Sequence, residues 1–282
     1  MTTAPKIPVS VAILTLNEER HLPACLASLA GCDDVVVVDS GSTDRTVELA
    51  RAAGARVFLH PFHDFASQRN HAMEAIEYAH PFVFHLDADE LVTPELLAEC
   101  AGVASATTAD GFYVAPRMMF DGVWLRHCTD FPAWQARFVR RDRFRFIQVG
   151  HGQREAPEMK MGYLQSNYLH DISVPDPAAW EQKHRRYAAE EAAQFLADDR
   201  ANDFAWRALW AGPPLARRRA VKHLSYRLPA RAWLRFVYQY YWRRGFLDGA
   251  AARRYCRLLA RYEAFTVAEI RRQRTVHPGA AS

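Results

Sequence analysis

The sequence predicts an α/β domain built on a mostly parallel sheet, with an added mixed strand region and a helical C-terminal extension. Three observations carry this. Apolar, β-branched runs alternate with segments of helical spacing through the first hundred residues. Two of those runs stop at an acid, Val35 to Val38 at Asp39 and Phe82 to Leu86 at Asp87. From Asp176 onward the pattern is helical, and it turns strongly basic.

Taken in order, Val9 to Thr15 reads as a buried strand and Glu18 to Leu29 as a helix. Val35 to Val38 is a second strand, after which Ser42-Thr43-Asp44 offers capping chemistry to a helix that runs to Ala53 and ends at Gly54. Ala55 to Leu59 is a third strand, Phe65 to Tyr78 a helix, and Phe82 to Leu86 a fourth strand leading into Asp87-Ala88-Asp89-Glu90. A βαβαβαβ order requires right-handed crossovers and puts ligands at the carboxyl ends of the strands, where these polar clusters fall. Thr93 to Ala104 is a further helix, and Gly111 to Phe120, Val123 to Arg126 and Gln135 to Ile147 are strand-like. Alternation in Arg137-Phe138-Val139-Arg140 and Arg143-Phe144-Arg145-Phe146 predicts half-exposed strands or a hairpin. The expected domain is 1–176, in halves at 1–105 and 106–176; the extension is 177–282, broken at Pro213-Pro214 and before Pro229.

With 282 residues, half of them apolar, the chain can bury one large core and still carry an appendage. Its five cysteines (Cys25, Cys32, Cys100, Cys128, Cys256) are odd in number and contain no CxxC pair, which argues against a disulfide framework or a thiolate zinc site and suits a reducing compartment. Met1 to Pro8 lacks the charged and apolar regions of a signal peptide, and no apolar run approaches the roughly 20 residues that span a bilayer. A cytoplasmic protein with at most peripheral membrane contact is expected. The first strand leads into Leu14-Thr15-Leu16-Asn17-Glu18, without glycine, so nucleotidyltransferase, dehydrogenase and Walker-type phosphate loops are all missing.

Asp87-Ala88-Asp89 presents two carboxylates as hard oxygen ligands, and a divalent cation held there would neutralise a diphosphate leaving group. The plain alternative is a strand-end turn with solvated acids. Together with Ile13-Leu14-Thr15-Leu16-Asn17-Glu18 and Asp39-Ser40-Gly41-Ser42-Thr43-Asp44, in that order, it resembles the motifs of the family 2 glycosyltransferases, whose fold is the Rossmann-like GT-A. Gln68-Arg69-Asn70 ahead of the acids and Gly245-Phe246-Leu247-Asp248-Gly249 near the C-terminus are similar to the lipopolysaccharide-core and capsule glucosyltransferase-like branch.

That resemblance implies an inverting hexosyltransferase that uses Mg²⁺ or Mn²⁺ and moves glucose or an N-acetylhexosamine from a UDP-sugar. The acceptor it implies is a lipopolysaccharide, capsule, exopolysaccharide or lipid-linked glycan. It further implies that Thr15, Asn17 and Glu18 line the nucleoside pocket, that Asp39 and Gly41 meet the base, and that Arg69 reaches the diphosphate. Asp87 would contact ribose or metal, Asp89 would be the main metal ligand, and His170 would coordinate the metal. Each has an ordinary structural alternative: a turn before a helix for Asp39, a solvated guanidinium for Arg69, a satisfied structural imidazole for His170.

Inversion needs a general base on the face of the sugar opposite the leaving group. Glu155, in Gly150-His151-Gly152-Gln153-Arg154-Glu155, falls where the resemblance implies an acid, often in a His-Glu pair; here three residues separate the two. Asp130 is the rival base, and an ion pair with Arg154 or Lys160 is the structural alternative for Glu155. Trp124 and Trp134 suit either a sugar face or core packing.

Between Arg207 and Arg274, seventeen Arg and Lys face three acids, a net of +14 in a chain of +4, so the rest of the molecule is acidic. Arg231, Arg235, Arg243 and Arg244 interleave with Trp233, Phe236, Tyr238, Tyr240, Tyr241 and Trp242, a composition suited to an amphipathic helix on an anionic membrane. Packing of the aromatics inward is the competing expectation; nucleic acid is disfavoured, because no recognition motif accompanies the charge. The alternative from another functional class is a membrane- or glycan-binding module that keeps the fold without turnover.

Overall fold

The computed structural model of the chain describes residues 7–105, 107–149, 152–200, 210, 214–226, 228 and 230–276. Gly150, His151, Pro213 and Pro229 lie outside the described residues. The chain divides into two compact units, one of residues 1–119 with 130–171 and one of residues 120–129 with 172–282. The helical unit thus starts at 172 rather than 177 and also claims an excursion, 120–129, from the middle of the strand region.

The first unit opens with β1 (Ile7–Thr15), α1 (Leu22–Ser28), β2 (Cys32–Asp39), α2 (Thr46–Ala52), β3 (Arg56–Leu59), α3 (Phe65–Ala75) and β4 (Phe82–Asp87). It continues through β5 (Glu90–Leu91), α4 (Pro94–Ala104), β6 (Gly111–Val114), β7 (Pro116–Phe120) and, after β8 (Val123–Trp124) of the excursion, β9 (Gln135–Arg140). Next come the hairpin of β10 (Phe146–Val149) and β11 (Gly152–Glu155), then β12 (Met161–Tyr163) and β13 (Tyr168–Asp171). A seven-stranded sheet has the order β12-β6-β9-β4-β1-β2-β3. β4, β1, β2 and β3 are parallel; β9 is antiparallel to both β4 and β6. In a second sheet β13 runs between antiparallel β5 and parallel β7.

Strand alternation sends Val9, Val11 and Ile13 to a core with Phe84, Leu86, Leu22 and Leu96, while Ala12, Val36, Val38 and Val83 meet Ala72 and Ile76 of α3 on the other face. Both faces are covered, as a parallel sheet requires. Register then sets the site: Thr15 pairs with Asp39 and Leu14 with Asp87, so β4, β1 and β2 end in one row.

Three local expectations change. α1 starts at Leu22 rather than Glu18, because the intervening backbone bonds to the next loop: Glu18 N–H donates to Thr46 Oγ1 at 2.7 Å and Glu19 N–H to Asp44 Oδ2 at 3.1 Å. Asp44 accepts from Thr46 N–H at 2.9 Å, and the N-cap residue, Arg45, makes no side-chain cap. β9 is buried on both faces rather than half-exposed, since it lies between β4 and β6 and the Arg137 charge is neutralised by two acids.

The second unit contains α5 (Pro177–Arg200), α6 (Pro214–Ser225), α7 (Arg231–Val237), a π turn (Tyr238–Trp242), a short 3-10 turn (Gly245–Asp248) and α8 (Gly249–Val276). Its Gly245-to-Gly249 motif is a clamp. A Cβ on Gly245 would sit 2.8 Å from both Cys128 Cβ and the Gln239 carbonyl oxygen, so no side chain fits there. Asp248 accepts from the backbone N–H of His127 at 2.7 Å and of Cys128 at 3.2 Å, and lies 2.6 Å from His127 Nδ1. No helix among the described residues is long and apolar enough to cross a membrane.

Candidate active site

The row of strand ends is cross-tied by polar side chains. Asp39 is fully buried, and its carboxylate accepts from Thr15 Oγ1 at 2.8 Å, Ser42 Oγ at 2.5 Å, Ser42 N–H at 2.8 Å and Gly41 N–H at 3.0 Å. Gly41 has φ +98°, a conformation that favours glycine, and so the loop can fold back onto the acid. Asn17, itself at φ +56°, binds across the same gap: its N–H donates to Ser42 Oγ and its Oδ1 accepts from Thr43 N–H, each at 2.8 Å. The loops after β1 and β2 thereby form one rigid edge. Glu18 turns its carboxylate to His21 Nδ1 at 2.7 Å. Of the residues expected to bind nucleoside, Thr15, Asn17, Asp39 and Gly41 lie together; Asp39 holds the loop with its full accepting capacity, so a base N–H must replace one of its present donors.

Asp87 is held by two guanidinium groups. Arg69 Nη2 donates to one oxygen at 2.7 Å and Arg137 Nη2 to the other at 3.0 Å. Burial alone would raise this carboxyl, but Arg137 and Arg69 outweigh it and keep the group well below the ordinary carboxylate range. Arg137 also donates to Glu90 Oε1 at 2.8 Å and to the His85 carbonyl at 3.2 Å. Glu90 is pushed up, first by its own burial, against the pull of Arg137 and with the repulsion of Asp87 adding to it. Arg69, at 1% exposure, is turned to Asp87, and its Nε and Nη1 have no hydrogen-bond partner among the described residues. In this arrangement it positions Asp87.

Asp89 adjoins that cluster through His170, whose Nδ1 lies 3.9 Å from Glu90 Oε1. Asp89 Oδ2 is 3.4 Å from His170 Nε2, and both side chains are partly exposed. Burial would lower the His170 imidazole, but the Asp89 hydrogen bond and charge outweigh it and raise it; Asp89 is lowered in turn, mainly by the same bond acting against its burial. A carboxylate oxygen and an imidazole nitrogen this close fit a divalent cation that takes its remaining ligands from phosphate and water. Asp87, expected as a further ligand, has both oxygens occupied by arginine, and no group of three or more His, Cys, Asp or Glu placed to hold a metal occurs among the described residues.

Glu155, on β11, accepts from the Tyr113 hydroxyl at 2.5 Å, and Tyr113 adjoins Tyr163, which meets Trp134 edge-on at a centroid distance of 5.0 Å. Trp134 and Tyr163 are exposed, so an open aromatic surface flanks the carboxylate. Asp130 is exposed. Sequence reasoning missed Arg137, whose alternating strand pattern reads as a solvated face, and Tyr113, whose hydroxyl has no signature in the sequence.

The comparisons follow from this geometry. The model of the family described as Glycosyl transferase family 2 matches residues 10–156, which include the ends of β1, β2 and β4 and Glu155 but not His170. The chain belongs to glycosyl transferase family 2. Its α/β sheet is accordingly the GT-A fold of that family. Among relatives of this family 2 chain, the lipopolysaccharide core biosynthesis glycosyltransferase LpsC of Rhizobium meliloti is 41% identical over 106 residues, which cover 33% of this chain and 38% of LpsC. An uncharacterised glycosyltransferase of Rickettsia typhi is 31% identical over 105 residues, covering 37% and 35%. The chain thus aligns with little more than a third of the length of these relatives. Glucosyl-3-phosphoglycerate synthase of Mycobacterium tuberculosis, solved with phosphoglyceric acid, is 26% identical with a TM-score of 0.31, covering 41% of this chain and 44% of that one. The same enzyme solved with Mn²⁺, UDP-glucose and glycerol 3-phosphate gives 22%, a TM-score of 0.35, and 48% and 57% coverage.

Proposed function

We propose that this glycosyltransferase is an inverting, metal-dependent hexosyltransferase that moves glucose or an N-acetylhexosamine from a UDP-sugar. Its acceptor is a lipopolysaccharide, capsule, exopolysaccharide or lipid-linked glycan, reached at the inner face of the cytoplasmic membrane through the C-terminal helices. The observation that carries the reading is the Asp89–His170 pair beside arginine-held Asp87, on the same sheet edge as the Asp39 loop.

In this mechanism Thr15, Asn17 and the Asp39 loop seat the nucleoside, and Asp87, fixed as an anion by Arg69 and Arg137, orients the donor without moving when it binds. Asp89 and His170 would hold Mg²⁺ or Mn²⁺, whose charge stabilises the diphosphate as it leaves. Glu155 takes the proton from the attacking acceptor hydroxyl, with Tyr113 fixing the carboxylate by donating to it. Trp134 and Tyr163 offer faces for an acceptor sugar. Asp130 is the second candidate base, and Glu155→Gln against Asp130→Asn decides between them by which variant loses turnover while still binding donor.

The test is thermal stabilisation by UDP-, GDP-, dTDP- and CMP-sugars with and without Mn²⁺, on the wild type and Asp89→Ala. A ligand at a hundred times its Kd adds about 2.7 kcal/mol. Stabilisation by one UDP-sugar, only with metal and lost in Asp89→Ala, is expected. Full activity in chelator would end the metal assignment, and stabilisation by a different nucleotide would end the UDP assignment.

A further inference from the structure

Two of the four arginines that the sequence marked for a membrane face are engaged inside the second unit. Arg231 is buried, pairs with Glu263 at 2.6 Å and stacks on Tyr226; Arg243 donates to the carbonyl oxygens of His127 and Thr129. A different set faces outward. Arg253, Arg257 and Arg261 follow one another at four-residue spacing along α8, which places them on one face in a row about 12 Å long. Opposite them Trp233 and Phe236 of α7 and Tyr240 and Tyr241 of the π turn complete a groove of about 710 Å³, floored by alanines. Arg261 pairs with Glu181; among the described residues Arg253 and Arg257 have no acidic partner.

We infer that this groove is a binding site for the phosphate-bearing headgroup of an anionic membrane lipid. The inference sharpens the proposed membrane contact and rests on that reading of where the acceptor lies. Guanidinium groups match phosphate oxygens with paired donors, and two with no acidic partner among the described residues are set for an external anion. The aromatic wall supplies the other half of an amphiphile's chemistry, because indole and phenol rings settle at headgroup depth. Its continuation favours a lipid over a water-soluble phosphate: Trp233 is 63% and Trp242 81% exposed, Leu247 is exposed, and exposed Phe246 packs edge-on against Tyr240. A free phosphate would leave that apolar surface in water; a bilayer interface covers it.

The experiment is co-sedimentation of the full chain with phosphatidylcholine vesicles, with and without about one-third phosphatidylglycerol, for the wild type, Arg253→Gln/Arg257→Gln and Trp233→Ala/Tyr241→Ala. Binding is expected only with the anionic lipid, falling roughly 25-fold in the arginine pair, and falling in the aromatic pair without change in melting temperature. Equal binding to both vesicles, no vesicle binding, or unchanged binding in the arginine pair overturns the inference. So does preferential capture of a single-stranded oligonucleotide that displaces the vesicles, an outcome that arginine beside stacked aromatics makes worth including. Asp89→Ala should bind vesicles normally. If no nucleotide-sugar binds while vesicle binding follows the arginines, the transfer reaction falls and the headgroup site stands.

Discussion

Arginine is used in two opposite ways in the two units. In the first, Arg69 and Arg137 are buried at the end of β4 and tied to Asp87 and Glu90. In the second, Arg253 and Arg257 stand exposed along a groove with no acidic partner among the described residues. The difference is one of desolvation. A guanidinium out of water is tolerated only with carboxylates in contact, and the pair then becomes a rigid part of the fold. A guanidinium left in water contributes little to stability and remains available to an outside anion.

Removing one partner in each place tests the contrast most severely. Arg137→Ala leaves buried Glu90 without its guanidinium partner and Asp87 held by Arg69 alone, and a loss of about 3–5 kcal/mol in denaturant unfolding is expected; a loss below 1 kcal/mol would mean that water already reaches the cluster. Asp89→Ala should cost about a thousandfold in transfer rate with little change in unfolding midpoint, separating this partly exposed acid from buried Glu90. Tyr113→Phe frees Glu155 from its hydroxyl donor, and about a tenfold fall in kcat with KM nearly unchanged is expected if the tyrosine only positions the base.

Asp34 offers a buried carboxylate of the first kind outside the site. It accepts from Ser10 at 2.6 Å, Ala79 N–H at 2.7 Å and Arg56 at 2.7 Å. Burial would raise its pKa, but these bonds outweigh it and lower the pKa below the ordinary 3.8. Its stabilisation is therefore present above about pH 4 and lost as pH falls through the folded-state value, so Asp34→Asn should be less stable than wild type by about 1.5–3 kcal/mol near neutrality and approach it in acid. Smallest of all, Arg253→Gln should change unfolding by no more than about 0.5 kcal/mol, because the side chain is exposed and has no acidic partner among the described residues.

Local pattern reached far into this protein. The four parallel strands, their helices and the acids Asp39, Asp87 and Asp89 were legible because strand periodicity and strand-end polarity are local properties. Arg137 was not: its alternation matches a solvated strand, and only the antiparallel insertion of β9 between β4 and β6 turns it inward to Asp87. The contact of Arg69 with Asp87 was hidden for the same reason, since spacing along α3 does not say which carboxylate waits beneath it. His85 is a further case, an apparent strand residue that lies fully buried; burial together with Arg69 and Arg137 keeps its imidazole neutral.

What the sequence by itself determined was the family and the order of its elements, because three short motifs and their strand ends survive as contiguous text. What only the tertiary structure decided was which charges are internal and which are offered to a ligand. Pairing across 50 residues from Arg137 to Asp87, or across 121 from His127 to Asp248, depends on register and packing between distant segments. The free energy of an arginine is set by what lies within a few ångströms of it in space, and its neighbours along the chain do not specify that.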